Sequence, residues 1–306
     1  MKAVITGGAG FIGSHLLDRL IRDGWEHVVV VDNLFRGRMV NINAHLSDTA
    51  VTFAQADIRD EATLRSIIAG ADVVFHLAAQ SNVIGAVTDI DYSFSTNVVG
   101  TFNVLKAARD LGARRVVFTS SREVYGEAQY LPVDEGHPFN AKNSYGASKG
   151  AGEMYCRVFN NQGMGVSVVR LSNAYGPRDV DRVIPIWLTR ALKGEDLIVY
   201  GGQQLIDFVW VDAIVEALTR VAGMDVMDPV NIGSGQGTSI LDLAQRILSL
   251  TNSGSKIVVH PARSAEVAKF TADVRRMQER LGLQPPADAL FGLPQLVEWY
   301  RSNPTP

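Results

Sequence analysis

The chain has 306 residues, 46% of them hydrophobic and 20% charged, with a formal net charge of −3. That length supports a full hydrophobic core, with room for one nucleotide-binding domain and a smaller appended one. The mild acidity and lack of a basic block exclude a nucleic-acid footprint, the single cysteine excludes an internal disulfide, and no run reaches the roughly 18 apolar residues of a membrane span, so a cytoplasmic protein is expected.

The first predicted element is a strand, KAVIT (residues 2–6), running into GGAGFIG (7–13). Glycines interrupt the apolar stretch and no small-residue cleavage site ends it, which predicts a strand and turn rather than a signal peptide. Gly7, Gly10 and Gly13 let backbone approach a pyrophosphate, and a helix opening at Phe11 adds N–H groups and a favourable dipole. The same glycines also suit a turn that holds no ligand; a strand before and a helix after favour the dinucleotide site. The second strand, HVVVVD (27–32), ends on Asp32. A carboxylate there accepts hydrogen bonds from both hydroxyls of an adenosine ribose and repels a 2′-phosphate, favouring NAD over NADP. Arg36 and Arg38 stand near the same end, and Arg36 is counted among the expected cofactor contacts. VTFAQAD (51–57) ends at Asp57-Ile58, which reads as an adenine-edge contact or a strand-ending turn.

DVVFHLA (72–78), RRVVFTS (114–120) and VSVVRLS (166–172) follow, with helical segments between them. Short apolar runs separated by helices predict a parallel sheet buried on both faces, a doubly wound Rossmann α/β domain over residues 1–172. FTSS (118–121) ends a strand where side chains meet a cofactor. SYGASK (144–149) puts Tyr145 and Lys149 four apart on one helical face. An ammonium near a phenol stabilises the phenolate, lowering a pKa of about 10 so that it can take a proton from a sugar hydroxyl. The spacing is also common on surface helices that do no chemistry. Cys156, further along the same helical pattern, reads as a buried apolar thiol.

After Arg170 the rhythm changes at NAYGP (173–177). Helices are predicted at about 183–193, 211–223, 238–250 and 288–302, with strands at about 197–200, 206–209 and 256–260. They predict a smaller α/β lobe over 173–306, packed directly on the first, with some crossing of the chain between the two.

TGGAGFIGSHL, VDNL, HLAAQ, NVVGT, SSREVYG, YGASK, NAYGP, DFVWVD, NIGSG and RSAEV (263–267) with Asp273 stand in the order and spacing of the extended short-chain dehydrogenase/reductases. More narrowly, the chain resembles the nucleotide-sugar epimerases and dehydratases typified by UDP-glucose (galactose) 4-epimerase, over about residues 1–300. The resemblance implies that Tyr145 deprotonates the sugar C4 hydroxyl as its hydride passes to NAD. Lys149 binds the nicotinamide ribose and tunes Tyr145, and Ser121 hydrogen-bonds the same sugar oxygen. It implies cofactor contacts at Gly7, Gly10, Phe11, Ile12, Gly13, Asp32, Asn33, Asp57, Ile58, Leu77, Ala78, Ala79, Gln80, Asn97 and Thr119. Contacts to the nucleotide diphosphate fall on Asn173, Val183, Ile198, Tyr200, Arg263 and Glu266; a guanidinium such as that of Arg263 can clamp a diphosphate bidentately. No metal is implied. Family members pair two long helices per subunit, here around 92–111 and 143–161, so a homodimer is expected.

Which chemistry follows C4 oxidation turns on SREVYG (121–126). Dehydratases of this family look like Thr-Asp-Glu or Thr-Ser-Glu before the Tyr-Gly pair, and the UDP-glucuronate decarboxylases like Thr-Ser-Glu. Here Glu123 is kept, but Arg122 stands where the dehydratase acid would be, and a guanidinium cannot protonate a leaving hydroxide. C4 epimerisation of a UDP-hexose type substrate is therefore the expectation. The alternatives are 4,6-dehydration or decarboxylation using Glu123, and then a Rossmann protein that senses dinucleotide without chemistry. Relatives commonly carry an Arg before the Asp of DFVWVD that contacts the diphosphate. Ile206 stands there instead, and Arg182 is the expected replacement. Phe270 is expected to limit room beside the sugar, favouring plain hexoses or hexuronates over N-acetylated ones.

Overall fold

The computed structural model describes residues 1–303. Its first half runs β1 (Lys2–Thr6), α1 (Phe11–Arg22), β2 (His27–Asp32), β3 (Val51–Gln55), α2 (Glu61–Ile68), β4 (Val73–His76), α3 (Val83–Thr88), α4 (Ile90–Phe94), α5 (Thr101–Asp110), β5 (Arg115–Ser121), α6 (Ser144–Asn161) and β6 (Val166–Leu171). A π-helical segment, Ser95–Gly100, joins α4 to α5. The second half runs β7 (Asn173–Tyr175), α7 (Val183–Leu192), β8 (Leu197–Tyr200), β9 (Leu205–Trp210), α8 (Val211–Gly223), β10 (Val230–Ile232), β11 (Gly237–Ser239), α9 (Ile240–Thr251), β12 (Ile257–His260), α10 (Arg275–Leu281) and α11 (Leu293–Ser302).

Seven strands form one parallel sheet in the order β10-β6-β5-β4-β1-β2-β3. The apolar runs explain it, because both faces are covered. Leu16, Leu17 and Leu20 of α1 with Ile214 and Leu218 of α8 bury one face; Val104, Leu105, Cys156 and Phe159 of α5 and α6 bury the other. This is the doubly wound Rossmann arrangement, and its order reverses between β1 and β4, where a crevice opens beyond the strand ends.

The remaining strands make a three-stranded sheet, β11-β9-β7, and a parallel pair, β12-β8. Trp187, Leu188, Phe208, Leu243, Ile247 and Leu293 pack a separate core there. Four short elements were not in the sequence-based prediction: β7 beyond the change of rhythm, β10, β11 and α10. β10 is only Val-Asn-Ile, too short to show a period, yet it is the seventh strand of the large sheet, pairing with Val169–Leu171. NIGSG and DFVWVD prove to be one joint. Asp207, fully buried, accepts from Ser234 N and Oγ (2.7 and 2.8 Å), Gly235 N (3.0 Å) and Ala272 N (3.0 Å). The motif aspartate thus ties β9 to two loops and leaves no oxygen for a ligand.

Candidate active site

A cavity of about 620 Å³ lies beyond the C-terminal ends of β1, β4 and β5 and extends between the large sheet and the smaller ones. Its floor at the β1–α1 turn is backbone. Gly7 has φ +72°, and a Cβ there would lie 2.8 Å from Ala78 N; a Cβ on Gly13 would lie 2.3 Å from Gly7 O. The N-cap of α1 is Gly10, with no side-chain cap, so the N–H groups of the first helical turn face the cavity uncapped. This is a cradle for a pyrophosphate, and a dinucleotide fits it. Gly13→Ala must push the turn apart at backbone atoms; the purified variant is expected to carry less than a tenth of the wild-type NAD, measured by absorbance after acid release, and equal loading would refute the cradle.

All the expected cofactor positions line this cavity except Asp57, Gln80 and Asn97. Asn97 is fully buried behind the wall. Its carboxamide accepts from Gln80 N (2.7 Å) and donates to Gln80 O (3.1 Å) and Ser148 Oγ (2.9 Å), bracing the segment after β4 against α6. Asp57 is drawn away by Arg59, whose guanidinium holds the carboxyl down to about 2, and it accepts from Asn33 Nδ2 at 2.9 Å. Asp32 accepts from Ala9 N (3.0 Å) and Leu34 N (2.9 Å), which fixes its buried carboxylate in the cavity wall at the end of β2. The sequence reading missed Phe35 and Tyr92, which line the same cavity with ring centroids 4.6 Å apart. Single aromatics in loops carry no periodic signal that would have found them.

The reactive groups meet at the other end. Asn143 caps α6, its Oδ1 accepting from Gly146 N at 2.8 Å, and so sets where Tyr145 and Lys149 face. Ser121 ends β5 and lines the same cavity as Tyr145, its Oγ accepting from Glu123 N at 3.2 Å. Burial pushes the Tyr145 phenol up; Arg182, the Ser121 hydroxyl and Arg36 oppose that shift, and Glu123 adds to it. Lys149 is pushed down to about 8, chiefly by burial. Its Nζ donates to Thr119 O at 2.8 Å and lies 6.0 Å from the Tyr145 ring centroid. Below Lys149, His76 is fully buried and held at about 3 by desolvation, its ring bonded to Thr6 Oγ1 (2.7 Å) and Thr101 Oγ1 (2.9 Å).

Arg122 and Glu123 both reach the wall, as a pair: Arg122 Nη2 lies 2.9 Å from Glu123 Oε1. The other carboxylate oxygen accepts from Asn143 Nδ2 at 2.7 Å, and that same amide reaches Ala265 O at 3.1 Å. Phe270, expected beside the sugar, does not line the cavity. It is 1% exposed, stacks on Tyr125 at 6.0 Å, and sits 5.5 Å from the Arg122 guanidinium; buried behind Arg122, it can shape the pocket only through that residue.

The remaining expected substrate positions all line the cavity. Arg182 precedes α7 as its N-cap without a side-chain cap, its Nη1 donating to Asp179 Oδ1 at 2.7 Å. The N-terminal N–H groups of α7 therefore open beside a cation, a favourable setting for phosphate. Arg263 lies 3.7 Å over the Tyr200 ring and 3.2 Å from Glu266, while Ile206 contributes an apolar surface. Across the cofactor side, Arg36 pairs with Asp181 and donates to Ser81 Oγ at 2.8 Å, joining the segment after β2 to that before α7. Among the described residues no cluster of three or more His, Cys, Asp or Glu is placed to hold a metal ion, and no helix is long and apolar enough to cross a membrane.

Comparison with known proteins agrees with this geometry. The model of the NAD dependent epimerase/dehydratase family matches residues 3–233. The chain is 37% identical to a putative UDP-glucose 4-epimerase of Methanocaldococcus jannaschii, with 98% of each chain covered. It is 36% identical to a UDP-N-acetyl-alpha-D-glucosaminuronate decarboxylase of Bacillus cytotoxicus, again with 98% of each covered. The crystal structure of a UDP-glucose 4-epimerase from Thermotoga maritima with UDP-glucose superimposes with a TM-score of 0.94 at 32% identity, covering 99% of each chain. A dinucleotide cradle at the switch point of the sheet, a Ser-Tyr-Lys group above it and full-length similarity lead to one assignment: the chain belongs to the NAD dependent epimerase/dehydratase family and takes NAD as its cofactor.

Proposed function

We propose that the protein inverts C4 of a UDP-hexose, of the UDP-glucose/UDP-galactose type, through a transient 4-keto sugar. Bound NAD supplies the acceptor and donor of the C4 hydride. Tyr145 takes the hydroxyl proton as the ketone forms and gives it back on reduction; Ser121 holds the same oxygen. Lys149 and Thr119 border the nicotinamide ribose, and Asp32 the adenosine ribose. Asn173, the N-terminus of α7, Arg182 and Arg263 hold the diphosphate and base, with Tyr200 under Arg263. We place the NAD-binding part at 1–172 and the substrate lobe at 173–306, with β10 and α8 crossing back.

The observation that carries the epimerase reading is the engagement of Glu123. Both of its oxygens are taken, by Arg122 and Asn143. A dehydratase or decarboxylase using Glu123 would have to break that pair, leaving a largely enclosed guanidinium, 11% exposed, without its carboxylate. An epimerase asks nothing of Glu123 beyond holding the turn after β5 to α6. Incubation with UDP-glucose, UDP-galactose, UDP-glucuronate, UDP-N-acetylglucosamine and dTDP-glucose, read by NMR, tests the reading. A product of unchanged mass inverted at C4 supports it, and loss of water or carbon dioxide overturns it.

A homodimer through α5 and α6 is part of the proposal. Phe94 at the end of α4, Val99 in the π-helical segment, Phe102 of α5 and Met154, Tyr155 and Val158 of α6 are exposed, with Phe102 and Tyr155 rings 5.3 Å apart; exposed apolar side chains of this kind call for a cover. Phe102→Glu with Val158→Glu is expected to convert a dimer into monomer in sedimentation velocity, and a monomeric wild type removes the idea. The cytoplasm, with its NAD and nucleotide sugars, is the compartment this chemistry suits; fractionation of the source cells tests that.

A further inference from the structure

Asn143 does more than cap α6. Its buried side chain has three partners: Oδ1 accepts from Gly146 N at 2.8 Å, while Nδ2 donates to Glu123 Oε2 at 2.7 Å and to Ala265 O at 3.1 Å. One partner is a donor and two are acceptors, so a single orientation of the carboxamide satisfies all three. A cap needs only the oxygen, which Ser or Asp supplies about as well. The two amide donations are additional, and they lead to the turn after β5 and to the segment that carries Arg263 and Glu266.

Both of those segments line the cavity. The turn after β5 rests on the first turn of α6, since a Cβ on Gly146, next to Tyr145, would lie 2.3 Å from Glu123 O. The other segment is tied at two successive carbonyls by two successive residues: Asn143 to Ala265 O, and Lys142 Nζ to Glu266 O at 2.8 Å. Lys142 also pairs with Glu127, which accepts from Ala268 N at 3.2 Å. The start of α6 is thereby strapped to the stretch whose Arg263 lies 3.7 Å over the Tyr200 ring.

We propose that Asn143 is a positioning residue for the C4 chemistry: through its two amide donations it keeps Tyr145 in register with Arg263, so that a substrate gripped at its diphosphate presents C4 to the phenol. The proposal rests on Tyr145 as the base and Arg263 as a diphosphate contact, as proposed above. The reacting carbon of a nucleotide sugar is several bonds from its phosphates. Grip at the diphosphate becomes rate at C4 only while the two sets of contacts keep a fixed separation. Of the two ties, Lys142 is 31% exposed and carried on a long flexible stem, whereas Asn143 is buried and braced by Glu123, itself held from the other side by Arg122 at 2.9 Å.

The test compares wild type with Asn143→Ser and Asn143→Asp, which both keep an oxygen for Gly146 N and both lose the amide donors. A residue that only caps the helix would leave both variants near wild type. Here kcat is expected to fall by about tenfold or more in each, while Asn143→Ser keeps its NAD and its urea midpoint. Arg263→Ala made in both backgrounds closes a cycle: independent sites multiply, whereas the loss of kcat from Arg263→Ala is expected to be at least about threefold smaller beside Asn143→Ser. A readout free of turnover is NMR of 13Cζ-labelled Tyr145 in the NAD-loaded protein, with UDP added to saturation as followed by calorimetry. UDP is expected to shift the signal in wild type and to shift it less than half as far in either variant. A kcat within about threefold of wild type in Asn143→Ser, the same UDP-induced shift in all three proteins, or no shift in wild type overturns the proposal. If the wild type turns over no nucleotide sugar, the functional reading fails, while the UDP titration still decides the role of Asn143.

Discussion

Tyr145→Phe is expected to lower kcat by about 10²–10⁴-fold while the protein still folds and retains NAD. The lost hydroxyl is the group proposed to move the proton, and its neighbours in the site are poorly suited to replace it. Ser121 is not basic near neutral pH, Lys149 donates to Thr119 O, and both oxygens of Glu123 are engaged. The phenyl ring keeps nearly the volume of the phenol, so its place near Lys149 survives. Activity is read by product NMR and NAD content by absorbance after acid release. A variant within tenfold of wild type would show that another group carries the proton.

The second large effect is on stability. Glu153 and Arg170 form an ion pair buried between α6 and β6, with side chains 4% and 6% exposed and a shortest contact of 2.7 Å. Arg170 Nε also donates to Glu153 Oε1 at 2.9 Å, Ser120 Oγ donates to the same oxygen, and Arg170 Nη1 donates to Tyr125 Oη at 2.9 Å. Tyr125 Oη in turn donates to Asn231 Oδ1 at 2.7 Å. One pair thus joins the catalytic helix, the strand behind it, the turn after Ser121 and β10. Glu153→Gln leaves the guanidinium uncompensated, and unfolding in urea is expected to show a loss of about 3–5 kcal/mol. A double replacement by apolar residues of similar size should recover much of it, because desolvation offsets most of the gain from pairing. A single variant within about 1 kcal/mol of wild type would mean that water or another group reaches the site.

The two predictions differ in how far the sequence reveals them. Tyr145 and Lys149 are four residues apart, so one helical turn determines their shared face. Glu153 and Arg170 are on different elements, and nothing local marks them as partners.

Local order determined a great deal here. The alternation of apolar runs and helices dictates the parallel sheet, because each run is long enough to bury both faces and each connection long enough to cross over. The glycine spacing and Asp32 dictate the dinucleotide end, since backbone conformation at a tight turn and the end of the next strand are set by residues close together in sequence. The family resemblance was legible for the same reason: its motifs are short and ordered.

Tertiary structure decided what depends on distant residues meeting. β10 joined the large sheet although three residues have no period, because Val169–Leu171 offered a free edge. Asn97 and Phe270 went behind the wall, where burial against Gln80 and Tyr125 outweighed contact with a ligand. The residues of SREVYG were divided in space: Ser121 was brought to the cavity that Tyr145 lines, and Glu123 was taken up by Arg122 and by Asn143, twenty positions away. Arg182, read from the sequence as a phosphate contact, was brought to the cavity wall at the start of α7 and held there by Asp179. Spacing along a chain specifies which groups share a turn; only packing between elements fixes which charges share a cavity, and there the low dielectric makes each of them count.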